Sequence, residues 1–246
     1  MAEAHNPLEQ FEIIKLFDFD LLGFDLAYTN SSLALTIGVV AAIIFVVGGM
    51  SRATIVPGRW QSMVEMFYEF IASMLNEAVG PEARKFFPFV FTLFMFILFV
   101  NVSGMIPRPL SFTPTSHIAI TLGLAGFVFI GITIFGFMKN GLGFFKLFMP
   151  SGIPIAMAPF LIVIELISYL VRPMSLSVRL FANMTAGHIM LKVIAGFAAS
   201  LGVFAIGPIL FNVALTGLEF LVAVLQAYVF TMLSCIYLND AYHCDH

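Results

Sequence analysis

The sequence predicts an all-α, polytopic integral membrane protein. We expect about five transmembrane helices, the last two long and strongly tilted as a hairpin, plus one amphipathic surface helix. Hydrophobic residues make up 61% of the 246 positions and charged residues only 10%, against roughly 25% charged in a soluble domain. Mean hydropathy is +1.03. Residues 147–238 contain only five full charges in 92 positions. Such a composition is typical of a chain whose helices cross a bilayer.

The first half of the chain supplies three crossings and the surface helix. Residues 32–50 are apolar over the roughly 20 positions that a crossing requires. Residues 60–79 carry polar side chains at steps of three or four, which predicts one wet stripe on an amphipathic helix lying along the membrane surface. That stripe consists of Gln61, Ser62, Glu65, Glu69, Ser73, Asn76 and Glu77. Further crossings are predicted at residues 86–105, closed by Pro107 and Pro109, and at 117–138.

The last two predicted helices are unusually long. One begins after Pro150, Pro154 and Pro159 and continues to about residue 192, and the other covers about 199–238. About 40 residues at 1.5 Å each give roughly 60 Å, twice the hydrocarbon thickness of about 30 Å. Continuous helices would therefore tilt strongly, near 60° from the normal. A kink at Pro173, or a break at Gly187 or Gly207, is the alternative.

We predict a single membrane domain over residues 1–246, with a polar N-terminal segment (1–31), peripheral helices (32–138) and a translocating hairpin (147–238). Basic residues predict its orientation, because they concentrate in cytoplasmic connections. They are Arg52, Arg59, Arg84 and Lys85 in the first connection, Arg108 alone in the second, and Lys139 and Lys146 in the third. The N-terminus should be outside and the C-terminus cytoplasmic. The two cysteines, Cys235 and Cys244, suggest neither a metal site nor a disulfide framework.

A polar stripe is predicted on the first long helix. Glu165, Arg172 and Arg179 are spaced by seven residues, so each step rotates by only about 20° around the axis. Asn183 stays near that stripe, whereas His188 lies about 180° away from Arg179. An ionisable side chain deep in a bilayer costs several kcal/mol unless it is paired or faces water, and it usually belongs to an ion or proton pathway. Arg179 is therefore the first candidate for a functional residue.

Glu219, Gln226 and Tyr237 form a second stripe, on the last helix, at steps of seven and eleven. Two offset polar routes thus approach one central arginine from opposite faces of the membrane, as two half-channels would. Arginine suits the central position because its charge persists even when the group is partly desolvated. Transport would then require an external carrier with its own carboxylate.

Four motifs resemble those of one known family, subunit a of the rotary F-type ATP synthases. They are RPMSLSVRLFANMTAGH at residues 172–188, EFLVAVLQAYVF at 219–230 followed by Tyr237, NVSGMIP at 101–107, and PTSH at 114–117. The resemblance covers nearly the whole chain after about residue 30. It implies a proton-translocating stator that catalyses no covalent chemistry, binds no cofactor or metal, and lies in the bacterial plasma (inner) membrane. The implied partners are the c-ring, the b/b' peripheral stalk subunits, the lipid bilayer and protons, with no nucleic acid.

The resemblance also implies a role for each site residue. Arg179 would face the c-ring carboxylates, with Asn183 and Gln226 beside it. His188 and Glu219 would line the outer route. The cytoplasmic route would contain Glu165, Ser175 and Tyr237. A common bacterial pattern has a carboxylate at position 188 and a histidine at 219, so this chain has the exchanged arrangement that mitochondrial members show.

Structural explanations stay open for several of these residues. Arg172 and Lys192 could extend toward head groups, Tyr237 could be an interfacial aromatic residue, and His117 an interfacial polar one. Glu165 could be a structural partner of Arg172, although seven residues is too far for a direct pair on one straight helix. Among other functions, a secondary transporter would show repeated halves and a membrane hydrolase a motif such as HExxH, and the sequence has neither. An assembly scaffold would not need the intramembrane charges.

Overall fold

The computed structural model describes residues 12–21, 24–105, 113–148 and 157–242. Two strands precede six α-helices joined in part by short 3₁₀ segments. The elements are β1 (Lys15–Leu21), β2 (Phe24–Thr29), α1 (Asn30–Met50), α2 (Arg59–Ala78), 3₁₀ Pro81–Phe86, α3 (Phe87–Gly104), 3₁₀ Pro114–Ser116, α4 (Ile118–Asn140), 3₁₀ Gly141–Phe148, α5 (Ala158–Ser200), 3₁₀ Gly202–Ala205 and α6 (Ile206–Tyr242). Pro107, Pro109, Arg108, Pro150, Pro154 and Cys244, which entered the predictions above, lie outside the described residues.

Within the described residues, five helical segments are long and apolar enough to cross a membrane: α1, Pro81–Gly104, α4, α5 and α6. The predicted five crossings are confirmed. The first three begin and end within a few residues of the predicted bounds, because a run of about 20 apolar residues fixes the length of a span.

The two long helices are continuous. Helix α5 has 43 residues and α6 has 37, so the predicted lengths are confirmed and the alternative of a break is wrong. Gly187 lies inside α5, Gly207 lies in the first turn of α6, and the helical assignment continues through Pro173. The predicted ends that face each other are wrong: α5 continues to Ser200 and does not end near residue 192, and α6 begins at Ile206 and not near residue 199. The chain turns instead at Gly202, whose φ of 56° is in the left-handed region that glycine adopts without a Cβ penalty.

An antiparallel β-hairpin precedes α1 and was not predicted. Strand β1 pairs with β2 so that Leu21 faces Phe24 and Asp20 faces Asp25. The sequence FDFDL at 17–21 alternates apolar and acidic residues, which is the period of a strand. The all-α description therefore holds for the membrane-spanning part of the chain, with this hairpin added at its N-terminal end.

Helix α2 is amphipathic, as predicted, with one correction to its wet stripe. Its buried face includes Val64, Ile71 and Leu75. Gln61, predicted to be in the polar stripe, is buried instead. Its amide donates to the Thr54 carbonyl at 3.0 Å and to the Glu65 carboxylate at 2.7 Å, so the buried polar group is satisfied by local hydrogen bonds.

The chain forms two compact units. The described residues of unit 1 fall within Met1–Arg52, Met95–Ile118 and Leu180–Ala227. In its interior, a Cβ on Gly38 would lie 2.8 Å from Val100 Cγ2, so glycine allows α1 and α3 to approach closely. The rings of Phe45 and Phe99 lie 5.3 Å apart in the same interface.

The described residues of unit 2 fall within Ala53–Phe94, Ala119–Arg179 and Tyr228–His246. Aromatic rings fill its interior: the Tyr169 ring lies 4.7 Å from that of Phe129, 5.4 Å from Phe148 and 6.3 Å from Phe144. The Tyr169 hydroxyl forms a 2.7 Å hydrogen bond with Thr133.

Three expectations stay predictions. They are the single membrane domain with its three functional parts, the tilt of the long helices, and the orientation of the termini.

Candidate functional site

Within unit 1, α5 and α6 bring a histidine and a carboxylate together. His188 Nδ1 lies 3.4 Å from Glu219 Oε1, with the two side chains 11% and 5% exposed. Neither carboxylate oxygen has a directed hydrogen bond within the described residues. The contact is therefore a close pairing of two titratable groups that leaves the carboxylate able to accept a further hydrogen bond.

Gly187 makes this pairing sterically possible. A Cβ at that position would lie 2.8 Å from Glu219 Oε1 and 3.3 Å from the carboxylate carbon. The carboxylate thus lies directly against the backbone of α5, in space that any other residue would fill. This explains the Ala-Gly-His segment of the motif: Gly187 leaves space for the Glu219 carboxylate, which His188 faces.

The opposite edge of the imidazole contacts Thr113. The threonine Oγ1 lies 2.6 Å from His188 Nε2, and Thr113 is 2% exposed. Sequence reasoning missed this residue, because a loop position has no helical periodicity. The only signal was its place directly before the PTSH motif.

Asn183 and Gln226 form a second pair in unit 1. The Asn183 amide donates to Gln226 Oε1 at 3.1 Å, and Gln226 is almost fully buried. A cavity of about 80 Å³ extends from Asn183 past Gly187 to Glu219, with otherwise apolar walls. One water needs on the order of 10–15 Å³ of such volume, so several fit between the two polar groups.

The two short sequence motifs meet in the same unit. Thr115 donates to Asn101 Oδ1 at 3.0 Å, and Ser116 Oγ donates to the Thr113 carbonyl at 2.6 Å. Thr185 of α5 donates to the Ser116 carbonyl at 3.4 Å. These bonds fix the segment around Thr113 onto α3 and α5. Burial lowers the pKa of the His117 imidazole at its end, so this histidine is neutral at neutral pH.

Within unit 2, several of the predicted site residues lie around Arg172. Its guanidinium donates to Asp240 Oδ2 at 2.7 Å and lies 3.8 Å from Glu165 Oε1. It also lies over two aromatic rings, 5.2 Å from the centroid of Tyr237 and 5.7 Å from that of Tyr169. Sequence reasoning missed Asp240, which lies just beyond the predicted end of the last helix near residue 238.

The expectation that Glu165 is too far from Arg172 for direct pairing is wrong. Their backbones are separated by about 10.5 Å along the helix at 1.5 Å per residue. A helical side chain points toward the N-terminal end, so the long arginine side chain extends toward Glu165 and covers most of that distance.

Arg179 and Ser175 lie one turn apart on α5 and are both exposed. Within the described residues of unit 2, neither has an ion pair or hydrogen bond partner. The structure therefore groups Glu165, Tyr237 and Arg172, and leaves a permanent cation on the surface of a membrane-spanning helix.

The chemistry available to these groups is proton transfer and electrostatics. Among the residues that the structure describes, no three of His, Cys, Asp and Glu are grouped so that they could hold a metal ion. Unit 1 combines a buried acid, an imidazole and a small cavity, which together can accept, hold and release a proton.

Comparisons with known proteins identify the family. A model of the ATP synthase A chain matches residues 32–239. The chain belongs to the ATP synthase A chain family. An ATP synthase subunit a of Rhodospirillum rubrum is 54% identical over 239 residues, covering 96% of this chain and 98% of that protein. The subunit a of Paramagnetospirillum magneticum is 52% identical over 243 residues, covering 97% and 98%. That of Pelagibacter ubique is 50% identical over 247 residues, covering 99% and 100%.

Membership of the A chain family agrees with the fold. The chain is a multi-pass membrane protein, a proton-translocating component that is not catalytic by itself. The resemblance recognised from the motifs is thereby confirmed, over the same part of the chain.

Proposed function

We propose that this chain is the proton-channel stator of a rotary F-type ATP synthase. Two offset half-channels would deliver protons to the c-ring carboxylates and collect them again, with Arg179 as the charge barrier that separates the routes. Proton flow would thereby be coupled to ring rotation and ATP synthesis.

The observation that carries this proposal is the state of Arg179. It is exposed on a membrane-spanning helix and has no ion pair within the described residues of its unit. A guanidinium stays charged in such surroundings, and an unpaired charge at bilayer depth is too costly to persist without a function. A carboxylate brought by a neighbouring ring supplies the missing partner. At 4 Å and an effective dielectric near 20, the arginine would favour its ionised form by about 4 kcal/mol.

The outer route would consist of the unit 1 residues. His188 and Glu219 would take protons from the outer aqueous space, and the cavity between Glu219 and Asn183 would hold the water that passes them onward. Asn183 and Gln226 would place polar groups near the ring. The 3.4 Å separation of the imidazole and the carboxylate supports this assignment, since proton transfer needs such proximity.

The cytoplasmic route would consist of the unit 2 residues. Glu165, Ser175 and Tyr237 would release protons, and Arg172 would hold Glu165 in place. The N-terminus would be outside and the C-terminus cytoplasmic, in a bacterial plasma (inner) membrane. The ring and the b/b' stalk would be the partners, and protons the ion. One charge moved through 100 mV yields about 2.3 kcal/mol, so several protons must be combined for each ATP.

Substitution of Arg179 tests the proposal. In the assembled complex reconstituted into vesicles, Arg179→Ala should abolish ATP-driven proton pumping, and Arg179→Lys should impair it nearly as much because lysine loses its charge more readily. Arg52→Ala is the matched control, since it removes an exposed arginine from the turn after α1 and should leave pumping unchanged.

Two results would contradict the proposal. Coupled pumping retained by Arg179→Ala would remove the barrier role. Purification in mild detergent offers an independent check: a ring of small hairpin subunits should accompany the chain. Transport of a small solute by the isolated chain would instead favour a secondary transporter.

A further inference from the structure

Thr113 has two hydrogen-bonding options, and both are visible in unit 1. Its Oγ1 lies 2.6 Å from His188 Nε2 and 3.4 Å from the Gly104 carbonyl oxygen. A hydroxyl has one proton to donate and can also accept. It can therefore donate to the carbonyl while accepting from Nε2–H, or donate to an unprotonated Nε2.

This choice matters because the other imidazole nitrogen faces Glu219. In the neutral ring one nitrogen is a donor and the other an acceptor, and in the charged ring both are donors. When Glu219 is ionised, Nδ1–H can donate to it and Thr113 donates to Nε2. When Glu219 is protonated, its proton can be donated to Nδ1, and Thr113 accepts from Nε2–H. The threonine thus gives Nε2 a partner in every protonation state, and no state leaves a buried polar nitrogen unsatisfied.

We infer that Thr113 is a positioning residue, which holds the His188 ring so that Nδ1 faces Glu219 throughout proton transfer. The inference rests on the proposed outer route. A rotation of the ring by 180° would move Nε2 away from the hydroxyl and Nδ1 away from the carboxylate. The short bond to Thr113 opposes that rotation.

The threonine is itself firmly held. Ser116 donates to its carbonyl at 2.6 Å, and the Thr113 side chain lies directly against Gly104, where an added Cβ would collide with it. Glycine at 104 is thus the condition for the threonine to reach the histidine. Substitution of Gly104 by a larger residue would therefore displace the Thr113 hydroxyl without removing it.

Four substitutions test the inference in the assembled complex. Thr113→Val keeps the shape and removes the hydroxyl, Thr113→Ser keeps the hydroxyl, and Gly104→Ala displaces the threonine. Thr216→Val is the matched control, because it removes a threonine hydroxyl from unit 1 that bonds to the Asn212 carbonyl and lies outside the segment around Thr113. The measurements are proton flux per assembled complex in vesicles, and the ¹⁵N shifts of His188, assigned by their loss in His188→Ala.

We expect Thr113→Val and Gly104→Ala to lower the flux about two- to tenfold, the equivalent of one net hydrogen bond. Thr113→Ser and Thr216→Val should keep the wild-type flux. The His188 ¹⁵N shifts should change in Thr113→Val, with loss of the hydrogen-bonded Nε2 signal, and be restored in Thr113→Ser. A merely structural threonine would lower the yield of complex and leave these shifts unchanged.

The inference and the proposed function fail in different ways. Unchanged flux and unchanged ¹⁵N shifts in Thr113→Val, together with slow flux in His188→Ala, would overturn the positioning role and leave the outer route intact. If His188→Ala and Glu219→Gln also conduct normally, the outer route itself is wrong and the inference falls with it. Loss of flux in Thr113→Ser equal to that in Thr113→Val would also overturn the inference, because the hydroxyl would then not be the group that matters.

Discussion

The two units hold their charged groups in different ways. In unit 1, a carboxylate that is 5% exposed lies beside an imidazole, and neither group is permanently charged. In unit 2, the carboxylates of Asp240 and Glu165 are 30% and 35% exposed and share Arg172, whose charge is permanent. Both units place acidic side chains in membrane-spanning helices. Only in the His188–Glu219 pair can both side chains be uncharged, because the charge of Arg172 is permanent.

The difference indicates which group can cycle. A buried His–Glu pair can exist with both groups neutral or with a proton transferred between them, so its charge state can change with small free-energy differences. The Asp240 carboxylate accepts a 2.7 Å charge-assisted hydrogen bond from the Arg172 guanidinium, whose charge is permanent. We therefore expect the unit 1 pair to transfer protons and the Arg172–Asp240 bond to be structural.

Among the changes that test this comparison, the largest effect should come from the unit 1 pair. Glu219→Gln and His188→Ala should each slow proton flux on the order of 100-fold, the lower end of what a positioned acid or base contributes. Assembly should be preserved, because glutamine and alanine fit the space. The measurement is flux through reconstituted complexes, normalised to their number.

Thr216→Val is the control for this prediction. Thr216 is exposed on α6, one turn before Glu219, and bonds only to the Asn212 carbonyl at 2.9 Å within the described residues. It should conduct normally. Normal flux in both Glu219→Gln and His188→Ala would contradict the comparison. The His188–Glu219 pair would then have no part in proton transfer and would not differ in function from the Arg172–Asp240 pair.

The features that depend on short-range patterns, namely the membrane spans and the long helices, were predictable from the sequence. Spans α1, α3 and α4 follow from apolar runs of about 20 residues, and the long helices from the sparse charges of residues 147–238. The site residues could be named because their motifs resemble those of a known family. Periodicity alone located the stripes but misjudged the reach of Arg172 toward Glu165, because it describes the helix and not the length of its side chains.

Contacts between distant segments were not predictable in this way. Arg172 and Asp240 are 68 residues apart, and their pairing depends on the antiparallel register of α5 and α6 within unit 2. Thr113 contacts His188 across 75 residues from a loop. No local pattern encodes either contact, because each depends on how segments distant in the sequence pack together.

An intermediate effect should appear when the fixed pair is broken. Arg172→Ala should destabilise the complex by about 1–2 kcal/mol, because Asp240 loses its nearest cation while still partly shielded from water. The double variant Arg172→Ala/Asp240→Ala should be less destabilised than the sum of the two single changes. The measurement is the midpoint of thermal dissociation in detergent, with Lys85→Ala as an exposed control. Strictly additive effects would show that the 2.7 Å contact contributes nothing, and the comparison between the units would fail.

The smallest effect on stability should come from Glu165→Gln, and it separates transport from structure. Glu165 lies 3.8 Å from Arg172 and is 35% exposed, whereas Asp240 lies at 2.7 Å, so Asp240→Asn should cost more stability than Glu165→Gln. For Glu165→Gln we expect less than about 0.5 kcal/mol, as for an exposed ion pair. If Glu165 releases protons on the cytoplasmic route, flux should nevertheless fall several-fold in that variant. The opposite pattern, a loss of stability equal to that of Asp240→Asn with unchanged flux, would make Glu165 a structural partner of Arg172 and leave Tyr237 and Ser175 as the remaining candidates for that route.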